Sequence, residues 1–113
     1  MRVEVDQSGK IGDTKVPTVL AFANDESFAV LIPATVKREC VRVLRTRFRS
    51  PHQLYMRLFA AALFLLIEKH LAQIDSIVID VEYTGHEGSI KDMLLRYVRG
   101  AMPTFSKEQI AFR

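Results

Sequence analysis

Residues 76–83 read SIVIDVEY, and this short run decides what kind of sheet the chain builds. Apolar β-branched residues fill half of it, which is typical of a central strand that is covered on both faces. An acid inside such a strand, as at Asp80, is costly to bury unless a metal ion or a cation compensates its charge. The run therefore predicts a central strand with an acid that is either functional or paired with an arginine.

Upstream, the chain predicts three short strands joined by turns. RVEVD at residues 2–6 alternates apolar and acidic side chains, VPTVLAFAN at 16–24 follows a glycine-rich turn, and FAVLIP at 28–33 follows a tight connection. Consecutive strands with short turns are typical of an antiparallel meander. Asp6 ends the first strand, where an acid is either a turn former bonded to the backbone of Ser8 or a metal ligand.

Two helices are predicted between this meander and SIVIDVEY. Residues 34–49 favour a helix whose apolar face holds Val36, Cys40, Val43 and Leu44. A strand is the alternative, because apolar and basic residues alternate at 41–43. SPHQ at 50–53 then signals a helix start, with a serine N-cap, a proline in the first turn and a glutamine three residues after the serine. This second helix should run to about residue 72 and be covered on most sides.

The rest of the chain predicts one more helix and one more strand. Ser89 is the expected cap of a helix over IKDMLLRYVR, Gly100 is its expected C-terminal cap, and QIAFR at 109–113 fits a final strand. The predicted order is β-β-β-α-α-β-α-β, an α/β sheet of mixed direction in a single domain over residues 1–113.

Composition limits the classes of protein that the chain can be. At 113 residues with 49% hydrophobic content, it is long enough for one core and is not disordered. Its single cysteine, Cys40, excludes an internal disulfide. Because the uncharged apolar run at 58–67 is half the length of about 20 residues that a bilayer needs, no membrane span is expected. Without a visible signal peptide, the expected location is the cytoplasm.

Basic residues are concentrated between positions 37 and 49. Six lysines and arginines lie there beside one acid, Glu39, in a chain whose net charge is only +3. On a helix, spacings of four, three and four place the predicted nucleic-acid-binding residues on one stripe: Arg38, Arg42, Arg45 and Arg49. Such a stripe fits contacts to phosphates, and the alternative is an ordinary solvated helix face.

The element order and the two strand-borne aspartates resemble the ribonuclease H-like fold. In that family three antiparallel strands, a helix and a central fourth strand precede further helix–strand units. The first strand carries an aspartate, matched here by Asp6 in VEVDQSG, and the fourth carries an acid, matched by Asp80 in IVIDVEY. The family usually has a glutamate in the first turn of the helix before strand four, where this chain reads SPHQLY. The resemblance covers most of the chain as a C-terminally minimal version of the domain.

The resemblance implies a metal-dependent phosphodiesterase. Its acids would hold Mg²⁺ or Mn²⁺, with Asp6 and Asp80 as metal ligands and catalytic residues and Glu82 as a third catalytic candidate; Glu82 as a solvent-facing strand residue is the alternative. The other hypothesis is a non-catalytic interaction module that forms a homodimer, because the apolar second helix offers more apolar surface than a chain this small is expected to cover.

Overall fold

The computed structural model describes residues 1–24, 26–80 and 83–113. The described residues build one five-stranded sheet and three α-helices, so the predicted mixed α/β class and element order are confirmed. The strands are β1 (Arg2–Ser8), β2 (Thr18–Ala23), β3 (Ser27–Ile32), β4 (Ser76–Ile79) and β5 (Ile110–Phe112). The helices are α1 (Ala34–Leu44), α2 (Pro51–Ile67) and α3 (Glu87–Ala101), with 3₁₀ segments at Glu68–Gln73 and Lys107–Gln109.

The sheet has the strand order β3-β2-β1-β4-β5, which places β4 beside β1 as the functional hypothesis requires. The pairs β3–β2 and β2–β1 are antiparallel, while β1–β4 and β4–β5 are parallel. Val5 pairs with Ile79 across the parallel β1–β4 ladder. The carboxyl ends of β1, β4 and β5 therefore lie at the same edge of the sheet.

One face of the sheet packs on the helices. Val3 and Val5 point into a core that also contains Ile77 and Ile79 from β4 and apolar residues from α2 and α3. The residues between them, such as Glu4 and Asp6, point to the opposite face because side chains alternate along a strand. We call this the open face, and cross-strand pairing places on it Asp6, Ala21, Ala23, Ala29 and Leu31.

Helix α1 is shorter than predicted and turns a different side inward. It ends at Leu44 instead of residue 49, and Arg45 caps it. Its buried residues are Lys37 and Val41, whereas Val36 and Val43, placed by the sequence on the buried face, are 46% and 49% exposed. The apolar pattern was misleading because a lysine takes the central inward position, where loop carbonyls satisfy its charge.

Helix α2 begins where the sequence predicts. The backbone N–H of Gln53 donates to the Ser50 hydroxyl at 3.5 Å, and Pro51 lies in the first turn. The helix changes to 3₁₀ geometry after Ile67, within the predicted span. Most of its apolar surface, which motivated the homodimer hypothesis, is buried inside the chain, although Leu65 is 55% exposed. In the part of the chain that the structure describes, no helix has the length and apolarity to span a membrane.

The third helix and the fourth strand differ from their predicted limits. Helix α3 starts at Glu87 after His86, so Ser89 lies inside the helix and is not its cap, and Gly100 lies inside its last turn. Strand β4 ends at Ile79, and Asp80 follows it directly. The third catalytic candidate, Glu82, lies outside the described residues.

Candidate functional site

A row of charged side chains crosses the open face at the carboxyl ends of three parallel strands. The Asp80 N–H donates to the Val5 carbonyl at 3.2 Å, and the Arg113 N–H donates to the Ile79 carbonyl at 3.1 Å. These bonds extend both parallel ladders by one residue and bring Asp6, Asp80 and Arg113 side by side. We call these three residues the charged row.

Asp6 and Asp80 are in direct contact within the row. Hydrogen bonding to the Asp80 side chain, together with its negative charge, raises the pKa of Asp6 above its ordinary value of 3.8. A shared proton or an external cation relieves the repulsion between two such carboxylates. The sequence-based expectation that these two acids converge is therefore met by the structure.

Arg113 supplies a cation to the charged row. Its Nε lies 3.3 Å from Oδ1 of Asp80, and its Nη1 lies 3.2 Å from Oε1 of Glu4. An arginine partner for Asp80 was the alternative to a functional role for that residue, and the structure contains such a partner. Because all these side chains are partly exposed, the pairs contribute little to stability, but they show that the row attracts positive charge.

A shallow depression lies beside Asp6. Small side chains on β2 and β3, among them Ala21, Ala23 and Ala29, line a depression of about 210 Å³ beside the Asp6 carboxyl. An alanine projects only a methyl group from the sheet, so a bulky ligand can approach the carboxylates from this side. The site is therefore accessible from the open face.

The donor set fits a divalent cation of the magnesium type. Among the residues that the structure describes, no group of three or more histidine, cysteine or acidic side chains converges on a metal position. Mg²⁺ keeps several of its waters and is commonly held by one or two carboxylates together with substrate phosphates. Asp6 and Asp80 provide that number of carboxylates, in a pair whose mutual repulsion a cation would relieve.

Tyr83, which follows β4, forms hydrogen bonds with the end of β1 and with the loop after it. The phenol oxygen of Tyr83 accepts hydrogen bonds from Nε2 of Gln7 and from the N–H of Ile11, both at 2.9 Å. Its ring also packs edge-on against Phe59 of α2 at 4.9 Å between centroids. These contacts link the segments that follow β1 and β4, and so stabilise the end of the sheet where the charged row lies.

The four predicted nucleic-acid-binding arginines share one surface, which we call the arginine surface: Arg38, Arg42, Arg45 and Arg49. Two adjacent grooves of about 350 Å³ each run along it, one lined by the first three arginines and the other by the last two. Tyr55 of α2 lines both grooves. Arginines interleaved with an aromatic ring suit a polyanion whose bases can stack.

Two of these arginines already have partners in the chain. Arg38 donates from Nη1 to the Thr14 carbonyl at 2.8 Å, and Arg42 forms a two-point ion pair with Glu39. Glu39 is the single acid of the basic segment, so its pairing lowers the positive charge of the surface. Arg45 and Arg49 have no ion pair among the described residues.

Lys37, counted in the sequence as part of the basic segment, has a structural role instead. Its side chain is fully buried, and its Nζ donates to the Lys10 carbonyl at 3.1 Å, the Asp13 carbonyl at 2.6 Å and the Thr18 hydroxyl at 2.9 Å. Burial lowers the pKa of Lys37, and the charge of Asp13 opposes that shift. Lys37 thus fastens the loop that follows β1 to α1.

The same loop connects the charged row with the arginine surface. It leaves β1 two residues after Asp6, and its Thr14 carbonyl receives the hydrogen bond from Arg38. The row lies on the open face and the arginines lie in the helix layer, and this loop contacts the arginine surface.

Sequence reasoning missed three features of this region. Arg113 was included only as the end of a strand, and the register of β5 against β4 is what brings it to Asp80. Tyr55 was treated as part of an apolar helix. His52 and His86 stack at 5.2 Å between ring centroids, a pairing between the starts of α2 and α3 that no local spacing reveals.

Comparison with protein-family models, with curated proteins and with solved structures finds no match to this chain. The functional argument therefore rests on the geometry of the charged row and of the arginine surface.

Proposed function

We propose that the protein acts on nucleic acid and hydrolyses phosphodiester bonds with a divalent metal ion. The observation that carries this proposal is the side-by-side position of Asp6 and Asp80 where the parallel β1–β4 ladder ends, next to the bond from the Asp80 N–H to the Val5 carbonyl at 3.2 Å. Two adjacent carboxylates that are open to solvent serve no core packing, and they raise the energy of the folded chain unless a cation joins them. Arg113 relieves only part of this repulsion, and carboxylate pairs of this kind are typical of functional sites.

The proposed metal ligands are Asp6 and Asp80, and the proposed ion is Mg²⁺ or Mn²⁺. When bound, the ion would supply the charge that activates a water and stabilises the leaving oxygen of a phosphodiester. Asp6 and Asp80 would hold the ion, and the depression beside Asp6 would admit the substrate phosphate. Glu82 remains a proposed third catalytic acid.

The arginine surface supports nucleic acid as the substrate class. Arg45 and Arg49 are available for phosphates, and Tyr55 lies between them and the remaining arginines as a stacking surface. Phosphate contacts of this kind hold a polyanion without selecting its sequence. The proposed activity is therefore cleavage with little sequence preference.

The proposed fold is a ribonuclease H-like domain. The antiparallel meander, the central fourth strand beside the first, and acids on both of these strands support it. Cleavage assays on labelled single-stranded and duplex DNA and RNA, with Mg²⁺, Mn²⁺ or EDTA, test the function. We expect metal-dependent cleavage that falls at least about 100-fold in Asp6→Asn and Asp80→Asn, equivalent to about 2.7 kcal/mol of transition-state stabilisation.

The matched control is Asp92→Asn, because Asp92 is an exposed acid on α3 that belongs neither to the charged row nor to the depression beside it. We expect this variant to cleave as fast as the wild type. Cleavage by Asp6→Asn at the wild-type rate, or cleavage that persists in EDTA, would overturn the proposal.

The second candidate function is a homodimeric interaction module, and the open face favours it. Leu31 is 60% exposed there, beside small residues that leave the sheet flat. A second copy of the chain would cover this face. Light scattering of the wild type and of Leu31→Lys distinguishes the cases: a dimer that the lysine dissociates supports this module, and a monomer at all concentrations excludes it.

A further inference from the structure

A mostly apolar cleft lies between α1, α2 and α3, separate from the charged row. It encloses about 530 Å³, a volume that suits a small organic ligand, and its walls come from all three helices. Its apolar lining includes the exposed side of α1 that the sequence assigned to the core: Cys40, Val43 and Leu44, together with Phe48, Leu58 and Ala61. Three of the four apolar residues that the sequence placed on the inner face of α1 therefore line this cleft, and Val36 does not.

Arg57 of α2 places an unpaired cation in the wall of the cleft. Its guanidinium carbon lies 4.2 Å from the centroid of the Phe48 ring, and its Nε is buried without a hydrogen-bond acceptor. The described residues give it no carboxylate partner. A buried donor without an acceptor is costly, and a ligand oxygen bound to the half-buried guanidinium would offset part of that cost.

The charge around the cleft favours an anionic head group. Arg47 also lines the cleft. The acid in the lining, Glu39, is already neutralised because it accepts hydrogen bonds from Nε and Nη2 of Arg42. A guanidinium recognises a carboxylate through two parallel hydrogen bonds. The arginines at one end therefore suit an anionic head group, and the apolar walls suit an apolar chain, so the expected ligand is amphipathic.

We infer that this cleft binds a small amphipathic carboxylate, with its apolar chain between α1 and α2 and its carboxylate on Arg57. The inference is independent of the proposed nuclease, because the cleft contains neither Asp6 nor Asp80. It assigns a role both to the unpaired Nε of Arg57 and to the apolar side of α1.

Calorimetric titration with two probes that share a ten-carbon chain tests the head group. We expect decanoate to bind at least about tenfold more tightly than decanol, since a hydrogen bond to a charged group adds that much or more. Equal affinity for the two probes, or no binding of decanoate, would overturn the inference, and this comparison needs no variant.

Substitutions then locate the site. Arg57→Met keeps the length of the side chain and removes the charge, so decanoate should lose its advantage over decanol while decanol still binds. Ala61→Leu fills the cleft and should weaken both probes. Arg96→Met, on the exposed side of α3, is the matched control and should change neither affinity. A preference for decanoate that persists in Arg57→Met would contradict the assignment.

The single cysteine provides a second readout. Cys40 is half-buried and lines the cleft, so an occupant should shield its thiol from iodoacetamide. We expect saturating decanoate to slow alkylation at least about fivefold in the wild type and not in Ala61→Leu, since shielding tracks the fraction of sites filled. Alkylation at the same rate with and without decanoate would place the bound probe elsewhere.

Discussion

At the scale of single residues, the charged row is held in an arrangement that folding alone does not favour. Asp6 and Asp80 repel each other, and Arg113 compensates only part of their charge because it also pairs with Glu4. Residues that cost stability where they lie are expected at functional sites. The cost can be measured by removing one charge.

Asp6→Asn should stabilise the protein at neutral pH. The folded-state pKa of Asp6 is raised, so the wild type loses stability relative to the variant as the pH rises above 3.8 and through that raised pKa, where the folded state must release a proton beside Asp80. Below pH 3.8, Asp6 is protonated in both states and this gain disappears. Screening limits the gain to less than about 1 kcal/mol.

Urea unfolding at several pH values measures this gain, with Asp92→Asn as the control for loss of a charge. A variant that is less stable than the wild type at pH 7, or a gain that grows toward pH 3, would show that the two carboxylates do not repel each other.

Lys37→Met should destabilise the protein although it removes a costly buried charge. Methionine fills much of the space of the lysine stem but leaves two carbonyls and the Thr18 hydroxyl without their donor. We expect the free energy of unfolding to fall by about 1–3 kcal/mol, the usual cost of unsatisfied buried polar groups. Lys15→Met, at an exposed lysine of the same loop, should stay within about 0.5 kcal/mol of the wild type.

At the scale of elements, the sequence patterns predicted whether a segment is a helix or a strand better than they predicted which side of it is buried. Val3 and Val5 alternate with Glu4 and Asp6, and this pattern predicted the strand. It also predicted that Asp6 lies on the face opposite the two valines, because side chains along a strand alternate between only two faces. The pattern of α1 predicted a helix but not the burial of Lys37, because the loop carbonyls that accept its hydrogen bonds come from another part of the chain.

The candidate site was also predictable only in part. Two acids on strands that became neighbours could be found from the sequence, since the element order suggested that pairing. The partnership of Arg113 with Asp80 depends on the register of β5, and the cleft beside Arg57 depends on how α1 turns. Neither is encoded in local spacing.

The turn from β1 to the following loop depends on Gly9. Its φ is +77°, and a Cβ there would lie 2.1 Å from the Pro17 carbonyl oxygen. Gly85 also has a positive φ, at +88°, but no atom lies within 4 Å of its Cβ position. We expect the free energy of unfolding to fall by about 3 kcal/mol or more in Gly9→Ala and by about 1 kcal/mol in Gly85→Ala. An alanine is strained by the positive φ at both positions, and only at Gly9 does its Cβ also clash with the backbone.

Thermal and urea unfolding of this matched pair of glycine variants separates backbone strain from steric conflict. Equal losses of stability in the two variants would show that the approach of Pro17 to Gly9 is not part of the folded loop.

At the scale of the whole molecule, the arginine surface should determine the salt dependence of nucleic-acid binding. Each phosphate contact on duplex DNA contributes about 0.9 to the slope of log affinity against log salt concentration. Replacing Arg45 and Arg49 by glutamine should therefore lower that slope by about 2 if each contacts one phosphate. The control is the pair Lys69→Gln and Lys107→Gln, two exposed cations outside the arginine surface, which should leave the slope unchanged; fluorescence anisotropy at several salt concentrations gives both values.

The molecule as a whole is a sheet with one face in the core and a row of charged side chains on the other, and its proposed chemistry depends on that row binding a cation. Calorimetric titration of the folded protein with Mn²⁺ tests this most directly. We expect one site in the wild type and in Asp92→Asn, at least about tenfold weaker binding in Asp6→Asn and Asp80→Asn, and tighter binding in Arg113→Gln, where a competing cation is removed. Binding of Mn²⁺ with the same affinity in Asp6→Asn, or no binding in the wild type, would contradict a metal site between β1 and β4.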